Sequence, residues 1–191
     1  HIKAALFVWQ GGMEGGDAVV DVLSGKETPS GKMPDTVALN LEDYPSFENF
    51  GNQFTNLYKE DIYVGYRYFE TFAPDKVVYE FGYGLSYTTF NIETLSAKAG
   101  NGKISLEIKV TNTGDKYSGK EVVQVYCKAP QGKLGKPAKV LCGYEKTNCL
   151  NPGESQIIKI DVDEYSMASY DDSGVTGYKS CYVLEAGDYE I

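Results

Sequence analysis

Ile104-Ser105-Leu106-Glu107-Ile108-Lys109-Val110-Thr111 is the stretch whose reading decides the fold. Apolar residues fall at every second position, with hydroxyls and charges between them. An extended chain sends successive side chains to opposite faces, so this period marks a strand with one dry face and one wet face. The same period returns where Val123, Val125 and Cys127 alternate with Gln124, Tyr126 and Lys128. It returns again where Ile158, Ile160 and Val162 alternate with Lys159 and Asp161. Turn signals lie between these runs at Gly100-Asn101-Gly102, Asn112-Thr113-Gly114, Asn151-Pro152-Gly153 and Ala186-Gly187-Asp188. Half-buried strands at this spacing, over about 100 residues, predict an antiparallel sandwich of the immunoglobulin or fibronectin type across residues 91–191.

Upstream the pattern changes. Ala4-Ala5-Leu6-Phe7-Val8-Trp9 is an unbroken apolar run of strand length, the signature of a strand covered on both faces, and it places Trp9 in a core. Gly11-Gly12-Met13-Glu14-Gly15-Gly16 follows as a glycine loop. From Asp17 to Leu23 the residues Ala18, Val19, Val22 and Leu23 share one helical face, and Gly25 suits the C-terminal cap. Strand, glycine loop and helix make one βα unit of a parallel sheet, which cannot stand as a domain by itself. Residues 1–41 are therefore expected to end a larger α/β domain. Residues 42–90, rich in Tyr, Phe, Asn, Gly and Pro, are expected to pack as an ordered but irregular connecting segment.

Composition narrows the function. With 18 basic and 27 acidic residues the net charge is −9, which disfavours nucleic acid and anionic membrane surfaces as partners. No apolar run reaches the roughly 20 residues of a membrane helix. The single His, at position 1, removes most histidine-based metal and triad chemistry. Cysteines at 127, 142, 149 and 181 lack the C-x-x-C spacing of zinc knuckles, so free thiols and no metal are expected, with Cys127 and Cys181 the two that approach. The carboxylates between Asp161 and Asp172 lack the central Gly of a calcium loop and read as a solvated acidic edge. A phosphate cradle at the glycine loop is disfavoured by Glu14 at its centre.

Two aromatic strips carry a resemblance. Tyr63-Val64-Gly65-Tyr66-Arg67-Tyr68-Phe69, followed by Phe81-Gly82-Tyr83-Gly84-Leu85-Ser86-Tyr87-Thr88-Thr89-Phe90, resembles family 3 glycoside hydrolases of the β-glucosidase type. Gly12-Met13-Glu14-Gly15-Gly16 is similar to that family's G-Q-E-G-G turn. Asp21-Val22-Leu23-Ser24-Gly25 and Pro29-Ser30-Gly31-Lys32-Met33-Pro34 are similar to its D-V-L-F-G and P-S-G-K-L-P stretches. Met13 in place of Gln, Gly11 in place of a common Pro, and Glu80 in place of a Pro are local departures at turns.

The resemblance implies a mixed fold, the terminal piece of an α/β sandwich domain followed by a fibronectin type III-like sandwich. It further implies part of a retaining enzyme that hydrolyses terminal β-linked glucose and uses no metal or organic cofactor. Both catalytic carboxyls of the family lie outside this span, on a (β/α)8 barrel and an upstream α/β segment, in the same parent or a partner chain. No catalytic residue is therefore assigned here, and the chain is expected to be inactive alone. Glu14 and Met13 are the substrate-facing candidates by that resemblance; read from the residues alone, Glu14 equally serves a helix N-terminus electrostatically. Arg67 between Tyr66 and Tyr68 reads as an internal stacking and pairing residue, and the Phe81–Phe90 strip as a seam between domains. The rival reading, from another class, is a non-catalytic fibronectin-like interaction or carbohydrate-binding module.

Overall fold

The computed structural model describes residues 1–191. In chain order it contains helix α1 (Gly15–Leu23), strand β1 (Val37–Ala38), helix α2 (Tyr66–Phe72), and strands β2 (Val77–Tyr79), β3 (Phe90–Gly100) and β4 (Lys103–Asn112). Strands β5 (Val122–Cys127), β6 (Val140–Lys146), β7 (Ser155–Asp163), β8 (Ser169–Asp171) and β9 (Cys181–Val183) complete it. No helix is long and apolar enough to cross a membrane.

The alternating runs behave as their period requires. β4 lies between β3 and β7 in an antiparallel three-stranded sheet, while β5 pairs with β6 on the opposite layer. Register places like against like: Leu106 faces Ile160 and Ile108 faces Ile158, so the two strands put their apolar sets on the same side. Leu106, Ile108, Val110, Val123, Val125, Leu150, Ile158, Ile160 and Val162 close into one buried core. At Gly143 a Cβ would lie 2.9 Å from Ile160 Cγ2, so glycine there lets β6 approach the opposite sheet. The fold is the expected mixture of a short α/β segment and an all-β sandwich.

Five expectations need correction. Residues 4–9 form no strand, because no strand lies beside them in these residues and their amides have no ladder to join. Trp9 is accordingly not in a core: it is 59% exposed, and its φ of 55° falls in the left-handed region. The connecting segment is less irregular than its sequence suggests, since β1 pairs with β2 and Tyr66–Phe72 turns into a helix that buries Phe69. Asp171 is not on a solvated edge. It is fully buried, and its carboxylate accepts bonds from Ser173 Oγ (3.0 Å), the Gly174 N–H (2.6 Å), and the Thr176 N–H and hydroxyl (2.9 and 2.6 Å). These donors hold its carboxyl well below the usual carboxylate range, the Thr176 hydroxyl contributing most.

The thiols are free, with Cys127 buried and Cys149 exposed. The neighbour of Cys127 is Cys142 rather than Cys181, because β5 pairs with β6 whereas Cys181 sits on the separate β8–β9 ribbon.

Candidate functional site

Helix α1 begins as its sequence requires, with the glycine loop turning into it. The Gly15 N–H donates to Gly12 O (3.0 Å), and the Ala18 N–H donates to the Glu14 carbonyl (3.0 Å). A Cβ on Gly11 would stand 3.0 Å from Gly15 Cα, so a glycine is what fits the close return of the loop on the helix start. Glu14 is the N-cap residue, but its side chain makes no cap bond and is exposed, as is Met13. At the C-terminal end Gly25 takes a φ of 78°, the cap conformation expected of it.

Beside this turn runs an open groove of about 580 Å³. Leu6, Phe7 and Val8 form one wall, Ala18, Val19 and Val22 the other, with Met13 and Glu14 also lining it. Glu14 is the only charged residue of the lining. One carboxylate can accept hydrogen bonds from hydroxyl groups, and the apolar walls can cover a ring or a packing element. A single carboxylate cannot perform the two-carboxyl chemistry of glycoside cleavage. The structure thus brings Glu14 and Met13 to one groove with the 4–9 run. The sequence carries that wall as an unbroken apolar run, a pattern that a buried strand and an extended wall share.

What holds this region to the sandwich is a seam in which the two glycines of the aromatic strip have specific work. The Met33 N–H donates to Tyr83 O and the Gly82 N–H to Met33 O, both at 2.7 Å, so the strip pairs with the Pro29–Pro34 stretch. Gln124 Nε2 from β5 donates to Gly82 O (3.0 Å), and a Cβ on Gly82 would collide with that amide. On Gly84 a Cβ would strike the Gly31 carbonyl oxygen. Lys32 Nζ binds Glu121 at 2.7 Å and donates to Gly84 O at 3.1 Å, with both charged side chains mostly buried.

Helix α2 docks alongside. Tyr66 stacks on Phe81 with centroids 4.6 Å apart, and its hydroxyl accepts from the Leu141 N–H (2.8 Å). The half-buried guanidinium of Arg67 lies 6.0 Å from the Tyr66 ring and forms no ion pair, so it stacks without the internal pairing expected of it. Tyr126, pushed up to about 12 chiefly by burial, stays a neutral donor to Gln124 Oε1 (2.7 Å). No group of three or more metal-ligating side chains forms in this seam or elsewhere in the chain.

Comparison with known proteins agrees with this anatomy. Residues 1–87 match the glycosyl hydrolase family 3 C-terminal domain, and residues 121–191 match the fibronectin type III-like domain. A β-glucosidase of Ruminococcus albus is 54% identical over 186 residues, covering 97% of this chain and 19% of that protein. Among solved structures, a β-glucosidase from Paenibacillus barengoltzii aligns at a TM-score of 0.92 and 60% identity, over 95% of this chain and 20% of its own. β-Glucosidase 3B from Thermotoga neapolitana, in complex with glucose, aligns at 0.85 and 43% identity, over 96% of this chain and 25% of its own. The chain therefore spans about a fifth to a quarter of the length of these relatives. With both domain matches in order, the glycine turn and helix inside the first and the seam joining it to the sandwich, the chain belongs to family 3 of the glycoside hydrolases, of which it carries the C-terminal region.

Proposed function

We propose that this chain is part of a retaining β-glucosidase that hydrolyses terminal β-linked glucose from glucosides and oligosaccharides, and that it forms the scaffold and one rim of the substrate site. The observation that carries the reading is the alignment with a β-glucosidase over 95% of the chain at a TM-score of 0.92. The apolar groove supports it, since a wall of Leu6, Phe7 and Val8 facing α1 is shaped for covering by further α/β structure. The nucleophile and the acid/base carboxyl come from a (β/α)8 barrel and an upstream α/β segment, in the same protein or a partner chain. Retaining cleavage needs those two groups roughly 5 Å apart across the glycosidic bond, together with water, and no cofactor.

In this arrangement Glu14 accepts hydrogen bonds from sugar hydroxyls, and Met13 lays its apolar side chain against the ring. Neither moves a proton. In the complete protein Glu14→Gln should raise KM for an aryl β-glucoside roughly tenfold or more, the worth of a charge-assisted hydrogen bond, while kcat changes much less. The isolated 191-residue chain should show no turnover. Hydrolysis by the isolated chain, abolished by Glu14→Gln, would overturn the assignment.

A further inference from the structure

Two of the four thiols are placed as a pair by the β5–β6 ladder. Tyr126 faces Leu141 and Val125 faces Gly143, so Cys142 is the extra residue of a β-bulge on β6. Cys127, at the end of β5, pairs with Val140 and points inward, being 3% exposed. Both residues lie on the core side of the ladder: Cys127 is buried, and Cys142, two residues beyond its partner Val140, packs against the buried cluster. Cys142 also reaches the Val140 carbonyl, 3.3 Å from its Sγ, and remains half-buried rather than sealed.

The two are chemically unequal. The hydrogen bond from Cys127 favours the Cys142 thiolate, against an opposing effect of burial, and the nearby Arg67 guanidinium adds to it. Cys127 is pushed up, by that same hydrogen bond and then by burial. A half-buried thiol whose ionisation is favoured, beside a second thiol whose ionisation is disfavoured, is the arrangement on which oxidation runs to a disulfide rather than stopping at the sulfenic acid. Cys149 and Cys181 lack it: the first lies outside the strands and is exposed, and the second sits on the separate β8–β9 ribbon with no second cysteine on its ladder.

We infer that Cys142 and Cys127 form a peroxide-oxidisable thiol pair, with Cys142 the attacking group and Cys127 the resolving one. The Cys142 thiolate attacks one oxygen of hydrogen peroxide. An S–O bond forms, the O–O bond breaks, and the departing hydroxide takes up one proton from solvent to become water. The Cys127 sulfur then attacks the Cys142 sulfur. An S–S bond forms, the S–O bond breaks, and the hydroxyl leaves as water with the Cys127 proton. Two thiols lose two electrons, and one peroxide becomes two waters. The unpaired bulge residue can shift without breaking a ladder bond, and this supplies the approach that the new bond needs. Because the Leu141 N–H is held by Tyr66 and Arg67 lies on the same helix, the link would fasten the bulge beneath α2.

The test is made on the complete, native protein treated with hydrogen peroxide, then alkylated and mapped by mass spectrometry. The expected result is a peptide pair joined through residues 127 and 142. Two of the four thiols should be lost, those of Cys149 and Cys181 retained, and dithiothreitol should restore all four. In Cys127→Ser, dimedone should label Cys142; in Cys142→Ser no internal link should form. Oxidation falling first on Cys149 or Cys181, or loss of Cys142 without a link to Cys127 in the unmutated protein, would overturn the inference. That last readout does not depend on either variant folding.

Discussion

Asn112 is a side chain whose removal should cost more than its size suggests. It is fully buried at the end of β4, and every hydrogen-bonding atom of its amide is used. Nδ2 donates to the carbonyls of Tyr117 and Leu150, both at 2.9 Å. Oδ1 accepts from the Thr88 hydroxyl at 2.6 Å and from the Gly114 N–H at 3.0 Å. Asn112→Ala would strand the Tyr117 carbonyl, the Gly114 N–H and the Thr88 hydroxyl, whereas the Leu150 carbonyl keeps the Gly119 N–H at 3.0 Å. Each stranded buried group costs about 1–3 kcal/mol, and Gly114 and Tyr117 are half-buried, so a total near 3 kcal/mol is expected. At about 1.4 kcal/mol per factor of ten, that is a hundredfold or greater loss of local stability. Hydrogen exchange on the complete protein reads it as faster exchange in peptides spanning 112–119 and 147–153. Thr88→Val, which loses one bond at nearly constant volume, should raise exchange only several-fold. Asn112→Asp should be at least as harmful as Asn112→Ala, because a carboxylate offers no donor to the Tyr117 and Leu150 carbonyls. Exchange in Asn112→Ala no faster than in Thr88→Val would refute the reasoning.

Asp171 supplies a pH test. Its carboxyl is depressed in the fold, so its contribution is present above the unfolded carboxylate value of about 4 and is lost as pH falls below it. The thermal midpoint of the native protein should exceed that of Asp171→Asn at neutral pH, and the gap should narrow below about pH 4. Lys32→Gln and Glu121→Gln should each lower the midpoint, and a double-mutant cycle should return a coupling of about 1 kcal/mol, as expected of a mostly buried pair at 2.7 Å. Gly84→Ala should destabilise more than Gly82→Ala in a thermal melt. The Cβ at 84 meets the fixed Gly31 carbonyl, whereas the one at 82 meets the movable end of Gln124 and otherwise adds only the strain of a φ of 80°.

The sandwich was legible because its period is enforced by its own strands. Ile104 to Val110 and Ile158 to Val162 each bury against the other within the chain, so pattern and burial report the same contact. Residues 4–9 failed for the complementary reason. An apolar run records that both faces are covered in the assembled protein but not by what, and no strand of these residues supplies the cover. Helix α2 escaped detection because its seven residues, Tyr66 to Phe72, are mostly aromatic and weak helix formers; docking against Phe81 and Leu141 fixes it. Asp171 was misread because an acidic pair looks the same on a wet edge as in a turn whose donors arrive from Ser173, Gly174 and Thr176. Of the candidate site, the turn and its glycine requirement could be read from the residues, whereas the pairing of Cys127 with Cys142 depends on a bulge that alternation does not announce.

The two ends of the chain therefore stand in opposite relation to their surroundings. From β3 onward the chain closes a core of its own, in which Val110 and Val162 are fully buried. In α1 nothing is buried: Val20 is 61% and Leu23 67% exposed, and Met13 is wholly open. A helix of nine residues has little stability of its own in water, so α1 must draw its order from packing on other structure. Within these residues the links reaching it across the chain are few, such as the Tyr87 hydroxyl donating to the Val22 carbonyl at 2.8 Å. The seam explains how such an element is kept in register all the same. Lys32, Gly31 and Met33 are clasped by Gly82, Tyr83, Gly84 and Glu121, only a few residues beyond the Gly25 cap, so the sandwich fixes where the helix ends while whatever covers the groove fixes which way it faces. Glu14 stands at the opposite end of α1 from the Gly25 cap. On the proposal that Glu14 faces substrate, a fibronectin-like layer would influence that rim without touching substrate, by holding the far end of the helix that presents it.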